Sequence, residues 1–181
     1  MQGGVKDLLC NPRYKHYCSS DSPNLNGLLT CWEPASGLLS PPTPRASWWA
    51  MRRHGDMSGR YLLPRRYEPS SPLVGIASID CAAGQAMALL GYLPPGYVGG
   101  DASAPRPTPR SITAALTGAD CLGQRVRVLY EYLPARDDGG PLAQPIIVAN
   151  RLLQVGANGT VLLEAADVAP LGAMAVTISA A

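Results

Sequence analysis

The chain has 181 residues, a formal net charge of +2, and 15% charged residues. Its 19 Gly and 18 Pro make up about a fifth of the chain, against roughly 12% in average proteins. Each Pro removes a backbone donor and each Gly adds freedom to the unfolded chain, so a helical bundle or coiled coil is excluded. With 46% apolar residues, burial can offset the entropy of ordering, and a wholly disordered chain is excluded as well.

Residues 1–48 read as an extended, irregular arm. It carries three of the five cysteines and the stiff run Ser40-Pro41-Pro42-Thr43-Pro44. Its apolar pairs (Leu8-Leu9, Leu28-Leu29, Leu38-Leu39) follow neither a strand nor a helix period. Residues 49–104 read as a mixed α/β segment, with a basic-aromatic stretch extending from Arg45 to Tyr67. A short helix is predicted over Ala46–Arg53, then a buried strand over Leu73–Cys81. A two-turn helix is predicted over Ala82–Leu90, stopped at Gly91 and Pro94-Pro95. Residues 94–110 are Pro, Gly and Ala punctuation.

Residues 105–181 read as an antiparallel β domain. Strands are predicted at Ser111–Leu116, Gln124–Leu133, Pro145–Leu153, Thr160–Ala165 and Ala173–Ser179. In the second of these, Val126, Val128, Tyr130 and Tyr132 share one face, with Arg125, Arg127 and Glu131 on the other. Asp137-Asp138-Gly139-Gly140 is a turn, and Gly156 to Gly159 with its Asn158-Gly159 pair is a hairpin turn. The predicted fold class is mainly β: a small antiparallel sheet or barrel, an irregular Cys-containing N-terminal arm, and one or two short helices.

Three sets of residues invite a chemical reading. Cys10, Cys18 and Cys31, with Cys81 at a strand end, supply the four thiolates that Zn or an iron–sulfur cluster takes. Cys121 and His16 are rival fourth ligands, and buried free thiols are the ordinary alternative in a reducing compartment. Such a cluster would staple an arm that cannot build a core of its own. Trp32, Trp48, Trp49, Arg52 and Arg53 are residue types enriched at protein interfaces. A net charge of +2 is no footprint of nucleic-acid binding, so a protein partner is the expectation for them. No nucleophile elbow, phosphate-cradling Gly loop or HExxH is present. His16 beside Cys18, and His54 beside Asp56, are the one basis for a hydrolase reading, so the chain is expected to be no enzyme.

The sparse charge is that of a surface covered by neighbours in a large assembly. No run approaches the ~18 apolar residues of a membrane span, and no cleavable leader pattern is visible. The cytoplasm is therefore the expected place of synthesis and assembly.

Residues 105–133 run PRPTPRSITAALTGADCLGQRVRVLYEYL. A Pro/Arg-rich approach leads to a short strand at Ser111–Leu116. Leu122-Gly123 and a basic-alternating strand (Arg125, Val126, Arg127) follow, ending in Tyr132-Leu133. Over about residues 105–165 this pattern resembles the lambda-like minor tail and tail-hub proteins of tailed bacteriophages, with 145–153 and 160–165 as the hairpin that follows. The resemblance implies a virion structural protein at the tail tip, assembled in the host cytoplasm, whose partners are other tail proteins. Some such proteins carry a four-Cys iron–sulfur site after the β domain, whereas here the Cys-rich part comes first. A small bacterial Zn or iron–sulfur interaction module without catalysis is the alternative.

Overall fold

The computed structural model describes residues 29–30, 43–62, 71–95, 107–134 and 142–181. Two short strands, β1 (Leu29–Thr30) and β2 (Thr43–Pro44), pair antiparallel. Helix α1 (Ala46–Gly55) follows at once. Then come β3 (Arg60–Leu62), β4 (Leu73–Asp80), β5 (Gln85–Tyr92), β6 (Arg110–Leu116), β7 (Arg125–Leu133), β8 (Ile146–Gln154), β9 (Val161–Val168) and β10 (Ala173–Ala180). The described protein is mainly β, as the composition and alternation predict.

Six strands form one antiparallel sheet in the order β3-β4-β5-β10-β7-β8, and β6 and β9 form a second, two-stranded sheet. Residues 49–104 and 105–181, separate segments in the sequence reading, both contribute strands to the large sheet: β5 and β7 flank β10.

The inner face of the large sheet follows period two. Val126, Val128 and Tyr130 of β7 are buried with Met174, Val176 and Ile178 of β10 and Ala86, Ala88 and Leu90 of β5. Ile112 and Leu116 of β6 and Val161, Leu163 and Ala165 of β9 cover them, giving a two-layer sandwich with one core.

The other face of the large sheet carries α1. Ala46, Trp49 and Ala50 of the helix pack with Leu89, Leu133, Ala173 and Ala175. The Trp49 indole N–H donates to the Leu142 carbonyl at 2.7 Å.

Two predicted elements come out differently. Residues 82–90, predicted as helix, are a turn followed by the start of β5. The Asp80 carboxylate accepts from the Ala83 N–H at 2.9 Å. That bond, with the Ser58 hydroxyl and the Ala82 N–H, holds the Asp80 carboxyl below its ordinary range and fixes the turn. Beyond it, Ala86 and Ala88 pair with both β4 and β10, and tertiary pairing overrides the helix preference of Ala. Residues 145–153 and 160–165, predicted as a hairpin, do not pair with each other. β8 joins β7 in the large sheet and β9 joins β6 in the small one.

The turn between them carries the backbone that Asn-Gly suggests, with φ of 58° at Asn158 and 63° at Gly159. It docks on the β6–β7 connection, where the Gly118 and Ala119 N–H groups donate to the Asn158 and Gly159 carbonyls. Gly159 is buried, and a Cβ there would collide with Asp120. The chain thus makes one antiparallel bridge at this turn, Gly156 with Thr160, and then changes sheets.

Candidate interaction surface

The cysteines are the first test of the metal reading. Cys81, at the end of β4, is bonded to Cys121, in the 3₁₀ turn after β6, with Cα atoms 5.6 Å apart. Neither sulfur is then a thiolate, so in this state neither serves as the fourth ligand. Cys10, Cys18, Cys31 and His16 lie outside the described residues. Among the described residues no three His, Cys, Asp or Glu side chains gather as a metal-holding group. The disulfide instead joins the large sheet to the connection between β6 and β7.

The basic-aromatic residues of α1 are divided between inside and outside. Trp49 is committed to the sheet, as described, and Trp48 meets its ring edge-on at 4.6 Å. Arg53 reaches down to β7, where its Nη2 donates to Glu131 Oε1 at 2.6 Å. Its Nη1 donates to Asp56 Oδ2 at 3.2 Å. Burial alone would pull the Arg53 guanidinium down. The bonds and charges of Glu131 and Asp56 outweigh it and hold the pKa above the ordinary arginine value. Arg52 stays exposed and pairs with Asp56 one turn along. Trp49 and Arg53 therefore dock the helix on its own sheet, while Trp32 lies outside the described residues. Sequence alternation placed Glu131 opposite the core, which is correct. That face is nonetheless covered there, and Glu131 is only 6% exposed.

The apolar surface lies elsewhere, on β8. Among the described residues this strand closes one edge of the large sheet, pairing with β7 alone. Ile146, Ile147, Val148 and Leu152 are 46%, 66%, 50% and 52% exposed. Leu162, on the outward face of β9, is exposed as well. Ile147 and Val148 both emerge because the β7–β8 register shifts between Tyr130 and Glu131, and such a bulge breaks the strict alternation of faces. Arg151 is the one charged residue of β8. Its guanidinium lies 5.8 Å from the Tyr130 ring centroid, and it stands outside the apolar run Ile146–Ala149. Edge strands in proteins that stay single are usually blunted by charge, Pro or short length. β8 has nine residues and an apolar end. The signal available in the sequence was the unbroken run Ile146-Ile147-Val148-Ala149, too apolar for a strand with one wet face.

A second surface feature is a crevice of about 960 Å³ between the two sheets. Its floor is Leu62, Gly75, Ala77, Ala88 and Leu90 of the large sheet, and one wall is the run Ala114–Gly118 of β6 and its turn.

No family model matches the chain, and no curated protein matches it. Solved structures do. The chain is similar to the structure of N2152 from Neocallimastix frontalis, at 20% identity and a TM-score of 0.62, over 77% of this chain and 31% of that one. It is also similar to the GH39 enzyme from Xanthomonas axonopodis pv. citri, at 13% identity and a TM-score of 0.53, over 86% of this chain and 32% of that one. A third is a glucosidase from Croceicoccus marinus, at 11% identity and a TM-score of 0.51, over 83% and 33%. What is shared is the fold. The chain spans about a third of the length of each of these structures.

Proposed function

We propose that the β-sandwich is a non-catalytic interaction module, held against a companion polypeptide through the apolar edge strand β8. The observation that carries this is the exposure of Ile146, Ile147, Val148 and Leu152 on a strand whose outer edge is unpaired among the described residues. Contiguous exposed apolar side chains on a sheet edge mark a surface that is covered when the protein works.

Two companions suit such a module. The likeness to a third of two such chains, the GH39 enzyme and the glucosidase, supports a glycosidase-type catalytic portion, with this sandwich as its accessory. The tail-hub pattern of residues 105–165, with the sparse charge, supports instead a ring of virion tail proteins. A metal-binding module would rest on Cys10, Cys18 and Cys31, with His16 as the remaining fourth ligand while Cys81 and Cys121 stay bonded.

Cross-linking in an extract of the source cells, read by mass spectrometry, tests the proposal. Cross-links from the neighbourhood of β8 to a glycosidase sequence, or to a tail protein, support it and choose the companion. A doubly charged variant, Ile147→Lys with Leu152→Lys, should lose those cross-links while keeping its circular dichroism. A chain that migrates alone in the extract, or a variant that keeps every cross-link, overturns it.

A further inference from the structure

The sandwich is unequal: six strands on one side and two on the other. Packed sheets stand about 10 Å apart, so among the described residues a two-stranded cover leaves much of a six-stranded floor without a lid. β9 lies toward β10, and the crevice places β6 over β5 and β4. Beyond β6 the inner face of β4 and β3 has no opposing strand among the described residues. The crevice occupies that place.

Its lining shows what would fit there. Consecutive residues of β6, from Ala114 through Thr117, all border it. Among the described residues one edge of β6 is unpaired. β6 pairs with β9 on its other side. In an antiparallel ladder the residues that do not bond one neighbour turn their N–H and C=O groups the opposite way. Among the described residues those groups of β6 have no strand partner, and the crevice lies beside them.

The floor supports the same reading. Gly75, Ala77 and Ala88 are small, and they leave depth for side chains arriving from above. At one end stands Arg60, whose register partner on β4 is the core residue Ile79. It thus projects toward the small sheet, and its Nη2 lies against Gly118. No carboxylate pairs with Arg60 among the described residues.

We propose that the crevice receives an extended peptide from another polypeptide region, which pairs antiparallel with β6 as a third strand of the small sheet. Its alternate side chains are apolar and settle over Gly75, Ala77 and Ala88. An acidic residue near its N-terminal end meets Arg60, because Arg60 stands by the C-terminal end of β6. The backbone bonds supply affinity, while the small-residue floor and Arg60 supply selection, as in strand-addition recognition generally. This surface is independent of β8 and stands whether or not the companion proposed above exists.

The test pans a displayed library of random twelve-residue peptides against the full chain. Enriched peptides should alternate apolar residues behind an acidic one. Amide hydrogen exchange with the best synthetic peptide should show new protection along β6. Arg60→Ala, on an exposed side chain, should weaken that peptide several-fold, in line with one exposed ion pair, and leave the melting temperature unchanged. Ala77→Leu should weaken it further by filling the floor; if that variant does not fold, the exchange pattern and Arg60→Ala decide. No enrichment, or enriched peptides that protect β8 instead of β6, or binding indifferent to Arg60→Ala, overturns the proposal.

Discussion

Removing Arg53 should cost more than removing the charge of its partner Glu131, and the structure gives the order of magnitude. The Glu131 side chain is 7% exposed and the Arg53 side chain 23%, with Nη2 to Oε1 at 2.6 Å. In Arg53→Met, the Glu131 carboxylate loses its cation while still covered by α1. A buried charge stripped of its partner typically costs about 3–5 kcal/mol. The partly open site puts the expectation near the lower bound, ~3 kcal/mol. In Glu131→Gln the guanidinium keeps Asp56 and some water, and what is lost is one charge-assisted bond, about 1.5–3 kcal/mol. In the double variant the orphaned charge disappears, so the two effects should fall short of additivity by about 1–2 kcal/mol. Urea unfolding of the four proteins, followed by Trp fluorescence, measures all three quantities, and Trp49 reports on the helix directly. Additive costs within about 0.5 kcal/mol, or Arg53→Met milder than Glu131→Gln, would refute the claim that this pair fastens α1 to the sheet.

Three further outcomes follow from the same contacts. Cys81→Ser with Cys121→Ser should lower stability by about 2–4 kcal/mol, since the bond closes a 40-residue separation and both residues are exposed, so little packing is lost; unfolding curves that superimpose with and without a reductant would count against it. Burial pushes the Tyr130 phenol above its ordinary value, outweighing the bond from the Glu164 N–H and the Arg151 charge. Its contribution is therefore full below the unfolded value of about 10 and is lost as pH rises from there toward the folded value. Tyr130→Phe should flatten the alkaline fall in melting temperature. Gly159→Ala should cost about 1–3 kcal/mol or more, from a left-handed backbone and a collision with Asp120; a change under ~0.5 kcal/mol would mean that the turn does not hold the two connections together.

Most strands were legible because alternation is a local property. Arg125 to Tyr130 shows its buried and exposed faces in the residues themselves, and the structure keeps them; at Glu131 and Leu133 the outward face is buried as well, under the helix. What the sequence hides is which strands become neighbours. Ala86-Met87-Ala88 reads as helix because its small residues say nothing of β4 and β10 on either side. Gly156 to Gly159 reads as a hairpin because the local backbone is the same whether the chain returns to its own sheet or crosses to the other. Cys81 and Cys121 looked like ligand and spare, since 40 intervening residues conceal a 5.6 Å approach. Trp49 and Arg53 looked like interface residues because large aromatic and guanidinium groups serve an outside partner and an inside sheet equally well. The apolar edge of β8 was readable as composition, but its place at the rim follows only from the strand order.

That order also sets a schedule. β10 is the middle plank of the large sheet, yet it comes later in the sequence than every strand it touches. As the chain leaves the ribosome, β3–β5 and β7–β8 emerge as two separate ribbons with their inner edges open. Only when residues 173–180 arrive can one slot between them and join the halves. Folding of this sandwich is thus deferred until residues 173–180 have emerged, and until then the nascent protein needs shelter from other open edges.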